Sequence, residues 1–382
     1  MNRRLKLLLV SKSTGGVASY IRMLVKGLDR EKFDITVACL SENGQEFAEE
    51  LRQNYKVDAF SLAMNRYKIN PLTDARVLIQ LSARIRRERY DLIHAHASKP
   101  GFLMRIAAVG TGIPVIYSPH NFAFHEGSKP LVARVVALFE KFAALFTTQI
   151  IAVAKHERDL ALKYGVGKPE LYSVIPTGID PVLYQQPADV LEIKRSLGIP
   201  DTAQVIGTVG RLAVPKLPID FVRVAAELKK DFSDLHFVWV GSGPLQEEAQ
   251  ALTNELGLKD SVHWLGHRDD AYRLYNIFNC FLLLSRWEAN PLVLLEAFSA
   301  GVPVIASDNL GARELIGDGG HGILVPVADV SAVSNAIRSV LQNPDRASAM
   351  KRLALEEVSR VFSLERMISK IEEVYLEKAI SL

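Results

Sequence analysis

Residues 285–301, SRWEANPLVLLEAFSAG, place the start of a helix between two carboxylates, Glu288 and Glu296. Asn290 is a residue type favoured at helix N-caps, and Pro291 suits the first helical position. The apolar run that follows predicts a helix, which the glycine at the end of the segment terminates. The unpaired N–H groups and the positive dipole end of such a helix favour an anion such as phosphate. The segment therefore predicts an anion site between two acids that can hold hydroxyl groups, which matches the composition of a nucleotide diphosphate sugar.

A second segment, VIGTVGRLAVPK at 205–216, predicts an apolar strand followed by two cations. The strand ends at Gly210, and the loop beyond it carries Arg211 and Lys216. A guanidinium can hold phosphate oxygens in a fork, and an ammonium adds a mobile positive charge. The alternative for 205–216 is a loop with two solvated charges. The alternative for 285–301 is a core helix with a solvated glutamate at each end. Together the two segments favour a site for a diphosphate.

These motifs resemble those of the retaining glycosyltransferases of family 4, which have the GT-B fold, and the resemblance covers nearly the whole chain. The family's E-x7-E signature matches Glu288 and Glu296, and its Arg-x4-Lys pair matches Arg211 and Lys216. The amino-terminal stretch LLLVSKSTGGVASYI matches the family's first strand, glycine turn and helix. The string HAHASKPGFLMRIAA at 94–108 is similar to members that assemble bacterial exopolysaccharide and capsule repeat units.

The resemblance implies an α/β protein of the GT-B fold, with two Rossmann-like, doubly wound parallel-sheet domains facing across a cleft. An acceptor-side domain is expected at 1–176 and a nucleotide-sugar donor domain at 177–362, with a last helix at about 363–382 packing back on the first domain. Short apolar runs that alternate with helical stretches independently favour parallel sheets. The predicted strands are 5–10, 34–39, 91–95, 113–117 and 149–153 in the first half, and 204–209, 235–240, 261–265, 279–284, 302–306 and 322–325 in the second.

Roles for individual residues also follow from the resemblance. His120 in IYSPHNFAF matches the family's active-site histidine, and VIPTGID at 174–180 matches its interdomain hinge. Glu296 is expected to hold ribose hydroxyls and Glu288 sugar hydroxyls, while the cations and the helix start stabilise the departing diphosphate. The expected catalytic residues are His120, Arg211, Lys216 and Glu288. The expected donor-binding residues are Gly15, Gly16, Gly243, His267, Arg268, Asn290, Pro291, Leu292 and Glu296.

Three residues depart from the family's pattern. Leu217 and Pro218 follow Lys216 where the family usually has a glycine or another small residue, so the loop over the phosphates is expected to be stiffer. Thr177 stands where the hinge usually carries asparagine. None of these changes removes a charged group assigned to chemistry, so only loop geometry is affected.

Other polar residues give weaker signals. The glycine turn GSGPLQEE at 241–248 lacks the third glycine of a dinucleotide fingerprint. His94 and His96 alternate on a predicted strand and so face one way, which permits a metal site, an acceptor-cleft role or a structural role. No cysteine or acid converges with them in the sequence pattern, so the last two roles are favoured. His125 and Glu126 are further candidates for the acceptor cleft.

The resemblance implies a hexosyltransferase that uses a UDP-sugar as co-substrate, with UDP-glucose favoured, and neither a divalent metal nor another cofactor. The expected acceptor is a saccharide or a lipid-linked saccharide. No carboxylate is an obvious nucleophile, so front-face attack assisted by the diphosphate is expected. The alternatives are a UDP-sugar epimerase or a sugar phosphorylase of the same architecture, and a nucleotide-sugar-binding pathway protein without transfer activity. A nicotinamide dehydrogenase is disfavoured because neither glycine turn completes its fingerprint.

Charge is unevenly distributed along the 382 residues. Residues 1–180 contain 26 lysines and arginines against 17 acids, and the remainder contains 20 against 26. A basic acceptor domain would suit an anionic membrane surface. The candidate contacts are RIRRERY at 84–90 and the apolar helix at 131–146, for which a place in the core is the favoured interpretation. The basic residues are dispersed and lack interleaved aromatics, so nucleic acid is not an expected partner.

Cysteine usage and hydropathy predict the compartment. Cys39 and Cys280 are the two cysteines, both on predicted buried strands, so a disulfide framework is not expected. No signal peptide is apparent, and the uncharged stretches are shorter than the roughly 18 to 20 residues that a bilayer requires. These features predict a cytoplasmic protein, with peripheral contact at the inner face of the cell membrane as a further option.

Overall fold

The computed structural model describes residues 3–65, 70–124 and 127–380, and the chain divides into two compact units. The first unit comprises Met1–Gly178 and Leu364–Leu382, and the second comprises Ile179–Ser363. The sequence predicts domain divisions after residues 176 and 362. These lie two residues before Gly178 and one residue before Ser363, where the observed segments end.

In the described part of the first unit, seven strands form one parallel sheet. They are β1 (Leu5–Ser11), β2 (Phe33–Leu40), β3 (Asp58–Leu62), β4 (Leu92–His96), β5 (Val115–Ser118), β6 (Gln149–Ala152) and β7 (Tyr172–Val174). Their order across the sheet is β3-β2-β1-β4-β5-β6-β7, so the direction of winding reverses between β1 and β4. In such sheets ligands bind beyond the carboxyl ends of the strands, near the point of reversal.

Among the described residues of this unit, six α-helices connect these strands. They are α1 (Gly16–Gly27), α2 (Gly44–Tyr55), α3 (Pro71–Glu88), α4 (Ser98–Ala107), α5 (Pro130–Ala144) and α6 (Lys155–Lys163). Alternate residues of β1 face opposite sides of the sheet: Leu7 and Leu9 pack in one hydrophobic core with α1 and α2, whereas Leu8 and Val10 pack in another with α3 and α4. The sheet is therefore covered on both faces, as its almost continuous apolar strands require.

The second unit contains a six-stranded parallel sheet in the order β10-β9-β8-β11-β12-β13. Its strands are β8 (Gln204–Val209), β9 (Leu235–Val240), β10 (Val262–Trp264), β11 (Cys280–Leu283), β12 (Val304–Ser307) and β13 (Gly322–Val325). Its helices are α7 (Val190–Ser196), α8 (Pro218–Leu228), α9 (Gln246–Glu255), α10 (Ala271–Leu274), α11 (Leu292–Ser299), α12 (Leu310–Ile316), α13 (Val330–Leu341) and α14 (Pro344–Val361). The winding reverses between β8 and β11, so the loops after these two strands meet at one edge of the sheet.

The last helix, α15 (Leu364–Ile380), belongs to the first unit and packs on α1. Glu372 on this helix accepts a hydrogen bond from the backbone N–H of Asp29 at 2.8 Å and forms an ion pair with Lys32 at 2.8 Å. Helix α15 therefore returns to the unit that contains β1.

The structure contains the strands predicted from the sequence, with shifts of up to about two residues. The strand predicted at 113–117 begins only at Val115, because Pro114 has no N–H to contribute to the sheet. Strands β3 and β7 were not predicted; they form the two edges of the first sheet and are only partly buried. Cys39 and Cys280 are buried free thiols, as the sequence predicts.

Candidate active site

The loops after β8 and β11 bring a lysine and a glutamate together in the second unit. Lys216 closes the short turn Val214–Lys216, and its ammonium forms an ion pair with the carboxylate of Glu288. The two side chains are only 21% and 15% exposed. The backbones of the loops are also joined, since the N–H of Arg286 donates to the carbonyl of Pro215 at 2.8 Å. Two charges that the sequence assigned to different parts of a ligand thus form one pair.

The residue after Lys216 has the backbone conformation that glycine adopts most easily. Leu217 has φ 49° and ψ 53°, in the left-handed region. Its side chain is buried in the core of the second unit, and Pro218 follows as the first residue of α8. Burial of Leu217 and the fixed φ of Pro218 are consistent with a restricted loop, but the stiffer loop expected from the sequence stays a prediction.

Glycines allow the neighbouring loops to approach each other closely. A Cβ atom at Gly243 would lie 2.3 Å from the carbonyl oxygen of Leu212, and one at Gly241 would lie 2.1 Å from that of Gly210. Neither separation is tolerated between real atoms, so a side chain at either position would displace backbone. Gly243 therefore lies directly against the loop that carries the exposed side chain of Arg211.

Helix α11 begins one residue later than the sequence predicts. Pro291 is its N-cap, with φ −72° and ψ 97°, and the N–H of Leu294 donates to the carbonyl of Pro291 at 2.9 Å. The prediction that Asn290 caps the helix and that proline is its first residue is wrong, because Pro291 is extended and Leu292 is the first helical residue. Within the described residues no side chain caps this end. The other end is as predicted, since Gly301 has φ 66°.

Glu296 lies on α11 and is held by a tyrosine. The hydroxyl of Tyr275 donates a hydrogen bond to Glu296 Oε2 at 2.6 Å, and Tyr275 is almost completely buried. Burial raises the pKa of Glu296, although hydrogen bonds from Tyr275 and Tyr184 partly oppose this increase. One carboxylate oxygen is thereby fixed in direction. Sequence reasoning found the glutamate but neither tyrosine, because both come from segments with no recognisable motif.

Two residues at the start of α12 fix the Glu288 segment. A Cβ atom at Gly311 would lie 2.6 Å from the carbonyl oxygen of Glu288, so this position requires glycine. The amide of Asn309 donates to the carbonyl of Ser285 at 3.0 Å, and its oxygen caps α12. Neither residue was predicted from the sequence. An asparagine after the strand predicted at 302–306 is an N-cap signal that could have identified Asn309.

His267 and Arg268, two of the expected donor-binding residues, lie after β10. Arg268 forms two hydrogen bonds with Asp270, both at 2.7 Å, and the side chain of His267 is 81% exposed. The carbonyl of Gly266 accepts the N–H of Gly241 at 2.7 Å. The guanidinium is therefore engaged by its neighbour, and a donor-binding role for this segment stays a prediction that concerns its backbone.

In the first unit, the glycine turn follows β1. Gly15 has φ 67° and ψ −161° and is the N-cap of α1, whose first residue is Gly16. The positive φ is strained for any residue with a side chain. In the part of the chain that the structure describes, no side chain caps this helix start either. The first turn of α1 thus presents backbone N–H groups at the carboxyl edge of the sheet.

His120 follows β5 in a strained turn. It has φ 51°, and the next residue, Asn121, has φ 91°. The buried carboxylate of Glu157 holds the turn, since it accepts the N–H of Asn121 at 2.5 Å and that of Val153 at 2.9 Å. Strain of this kind is concentrated at functional sites. Sequence reasoning missed Glu157, because its contact joins residues 36 positions apart.

The predicted histidine pair lies beside His120. Nδ1 of His96 is 3.0 Å from Nε2 of His120, and the two rings are stacked. His94 is bonded on both sides, by Tyr375 at 2.5 Å and by Ser118 at 2.9 Å. His94 therefore has a structural role, whereas His96 orients the ring of the candidate active-site histidine.

These histidines are neutral at physiological pH. Burial, with a smaller contribution from the charge of Lys12, lowers the pKa of His120 to about 3. Burial also lowers the pKa values of His94 and His96 well below 6.5. Across 3–65, 70–124 and 127–380, no group of three or more His, Cys, Asp or Glu side chains is arranged to hold a metal ion. The candidates His125 and Glu126 lie outside the described residues.

Comparison with known proteins places these features in a family. The family model of the glycosyl transferases group 1 matches residues 189–356, and that of Glycosyltransferase Family 4 matches residues 14–183. The UDP-Gal:alpha-D-GlcNAc-diphosphoundecaprenol alpha-1,3-galactosyltransferase of Escherichia coli is 30% identical, over 93% of this chain and 92% of that protein. The chain belongs to glycosyltransferase family 4. It is therefore a glycosyltransferase.

A second relative of this glycosyltransferase is also named a glycosyltransferase, and two solved structures share its fold. The putative glycosyltransferase EpsD of Bacillus subtilis is 25% identical over 84% of this chain and 85% of its own length. The crystal structure of Anabaena Alr3699/HepE in complex with UDP and glucose has a TM-score of 0.83 at 22% identity, covering 97% of this chain and 99% of that one. Sucrose-phosphate synthase from Thermosynechococcus elongatus has a TM-score of 0.84 at 21% identity, covering 99% and 100%. The predicted GT-B fold class is confirmed.

The predicted site residues of the glycosyltransferase fall in two places. The first unit carries Gly15, Gly16 and His120, and the second carries the remainder, with Lys216 and Glu288 in direct contact. Among the described residues of the glycosyltransferase, no helix combines the length and the hydropathy needed to cross a bilayer.

Proposed function

We propose that this glycosyltransferase moves a hexosyl residue from a UDP-sugar to a lipid-linked saccharide during bacterial polysaccharide assembly, with retention of anomeric configuration. The observation that carries the proposal is the Lys216–Glu288 pair, at the sheet reversal where a diphosphate is expected. UDP-glucose is the favoured donor. The Escherichia coli relative, whose name contains UDP-Gal and a diphosphoundecaprenol acceptor, supports a UDP-hexose and a lipid-linked acceptor.

In the proposed mechanism the second unit stabilises the leaving group. Arg211, Lys216 and the N–H groups at the start of α11 provide positive charge and hydrogen bonds for the departing diphosphate. When the diphosphate binds Lys216, the carboxylate of Glu288 becomes available to accept hydrogen bonds from sugar hydroxyls. Because these groups supply the positive charge, the mechanism needs no divalent metal.

His120 would act in this mechanism as a neutral hydrogen-bonding group. Its pKa of about 3 means that the imidazole carries no charge at physiological pH, so it can bind a sugar hydroxyl next to the reacting face. No side chain is assigned as a covalent nucleophile. The acceptor hydroxyl attacks the anomeric carbon from the side of the departing diphosphate, whose oxygen takes the proton, and configuration is retained.

The first test is calorimetric titration of the purified protein with UDP-, GDP- and ADP-sugars in the presence of EDTA. We expect binding of a UDP-hexose that is lost in Glu296→Ala, followed by transfer to a lipid-linked acceptor with an axial product linkage measured by NMR. An inverted product would contradict retention. Binding without transfer would favour the nucleotide-sugar-binding pathway protein, and isomerisation of the UDP-sugar without acceptor would favour the epimerase.

Donor affinity should depend on pH through Glu296. Ribose hydroxyls donate to the ionised carboxylate, and burial raises the pKa of Glu296 above its ordinary value of 4.5. The affinity for UDP is therefore expected to fall as the pH decreases. The midpoint pH of this fall should lie above the pKa of an ordinary glutamate. The raised pKa favours the protonated folded state, so the stability contributed by this group is present at low pH and is lost as the pH rises through the raised pKa.

The measurement is the Kd of UDP as a function of pH, with circular dichroism at each pH to show that the protein stays folded. Glu296→Gln is the matched control, because glutamine can still accept the hydrogen bond from Tyr275 but cannot ionise. This variant should bind UDP more weakly at neutral pH and lose the acidic midpoint. A midpoint that is unchanged in Glu296→Gln would rule out Glu296 as its source.

A further inference from the structure

Helix α5 buries three alanines and a glutamate and exposes large apolar side chains. Its buried residues are Ala133, Ala137, Glu140 and Ala143. Its exposed apolar side, extended by one residue beyond the helix, comprises Leu131, Val132, Val135, Leu138, Phe139, Phe142 and Leu145, each between 48% and 75% exposed. An amphipathic helix of a globular protein normally has the opposite arrangement. The favoured sequence interpretation, a core helix, is therefore wrong for this face.

The exposed side chains form one continuous stripe. Five of them recur at intervals of three or four residues, the spacing that aligns side chains along one face of a helix. These are Leu131, Val135, Leu138, Phe142 and Leu145, while Val132 and Phe139 widen the stripe. With 15 residues, α5 carries the stripe over about 22 Å. A contiguous apolar surface of this length exceeds the scattered apolar residues of an ordinary protein surface and indicates a binding partner.

The helix does not need this stripe to stay attached to its unit. Glu140 forms a buried ion pair with Arg105 of α4 at 2.6 Å. The guanidinium of Arg105 also lies 3.8 Å over the ring of Tyr117, whose hydroxyl donates to Glu140 at 3.2 Å. The alanine face and this ion pair fix α5 against α4. The large apolar side chains are therefore left available for another contact.

Charges around the stripe identify the kind of partner. Lys129, Arg134 and Lys141 are exposed on α5 or next to its start, and the only acid in the helix, Glu140, is buried. Helices α3 and α5 both pack on α4, and the last turn of α3 carries Arg86 and Arg87. A second copy of this chain would place these cations against themselves in a two-fold interface. An anionic bilayer instead offers acyl chains for the stripe and phosphates for the cations.

We propose that α5 lies in the plane of an anionic membrane surface, with its apolar stripe among the acyl chains and its cations at the headgroups. The inference rests on the proposed function, because it places the enzyme on the surface that would carry a lipid-linked acceptor. In this arrangement α5 lies along the surface and does not cross the bilayer. The helix acts as an interfacial anchor of the first unit.

The experiment is co-sedimentation of the full chain with vesicles of phosphatidylcholine, alone or mixed with phosphatidylglycerol. We expect binding to the mixed vesicles that falls at least about tenfold in Leu138→Glu/Phe142→Glu. The matched control is Leu191→Glu/Leu256→Glu, which changes two apolar residues of the second unit that are 44% and 42% exposed. This control should bind as the wild type does, and thermal unfolding should show that both variants are folded.

Transfer to a soluble saccharide acceptor separates this inference from the proposed function. If the inference is correct, Leu138→Glu/Phe142→Glu retains that transfer but loses transfer to acceptor embedded in vesicles. Wild-type transfer without vesicle binding would overturn the membrane inference and leave the proposed function unaffected. Vesicle binding without any transfer would overturn the proposed function and leave the membrane inference unaffected. A dimer that dissociates in the stripe variant, with no vesicle binding, would assign the surface to a second copy and overturn the inference.

Discussion

Replacement of Lys216 by methionine is expected to lower kcat by about 10²- to 10³-fold, the effect of removing one group that stabilises developing negative charge. The charge on the diphosphate increases as the sugar bond breaks, so the lysine contributes more to the transition state than to donor binding. A larger effect on kcat than on KM should result. The change also leaves Glu288, only 15% exposed, as a negative charge without its partner beside the diphosphate.

Because Lys216 and Glu288 form an ion pair, a double substitution tests the role of the lysine more strictly than a single substitution does. Glu288→Gln in the Lys216→Met background removes the uncompensated carboxylate, so the double variant should lose less activity than the product of the two single effects. Lys230→Met, at an exposed lysine beyond α8, is the matched control and should keep wild-type kinetics. Steady-state kinetics of all four variants give the comparison. Retention of kcat within about threefold in Lys216→Met would remove the lysine from the chemistry.

The residues found from the sequence are those that belong to local motifs. Strand ends, a helix start and fixed spacings are visible without knowledge of the fold, and they identify Glu288, Glu296, Arg211 and Lys216. The second sheet was predictable for the same reason, since each strand is a short apolar run between turn residues. What the spacing could not show is that Lys216 and Glu288, 72 positions apart, form an ion pair.

The residues that were missed support the site through tertiary contacts. Tyr275, Glu157 and Gly311 contact segments from 21 to 36 positions away, and no pattern in their own neighbourhoods indicates those contacts. The error at Pro291 has a local cause, since the residue suits both the N-cap and the next position and tertiary context decides between them. For helix α5, the sequence likewise does not determine which face is buried. Its apolar periodicity predicts a helix correctly, but only the packing on α4 decides that the alanines face inward.

Replacement of Glu140 by alanine is expected to lower the free energy of unfolding of the first unit by about 3–5 kcal/mol, the cost of leaving a buried charge without its partner. Arg105 is completely buried, and within the described residues its Nη1 has no hydrogen-bond partner even in the intact protein. Its Nε donates to the carbonyl of Gly101 at 3.1 Å. This single bond cannot replace the carboxylate, so the guanidinium would be left largely unsatisfied.

Urea denaturation, followed by amide hydrogen exchange in peptides of the first unit, measures this effect. Glu356→Ala is the matched control, because it breaks an ion pair with Arg352 in which both side chains are at least 60% exposed, and it should leave stability nearly unchanged. Arg105→Met/Glu140→Leu replaces the pair by apolar residues of similar size and should recover most of the loss. Because the ion pair also fixes α5, Glu140→Ala should weaken vesicle binding, and the apolar double variant should restore it. Equal stabilities of Glu140→Ala and Glu356→Ala would show that the buried pair does not hold α5 in place, and the attachment of the helix would then rest on its alanine face alone.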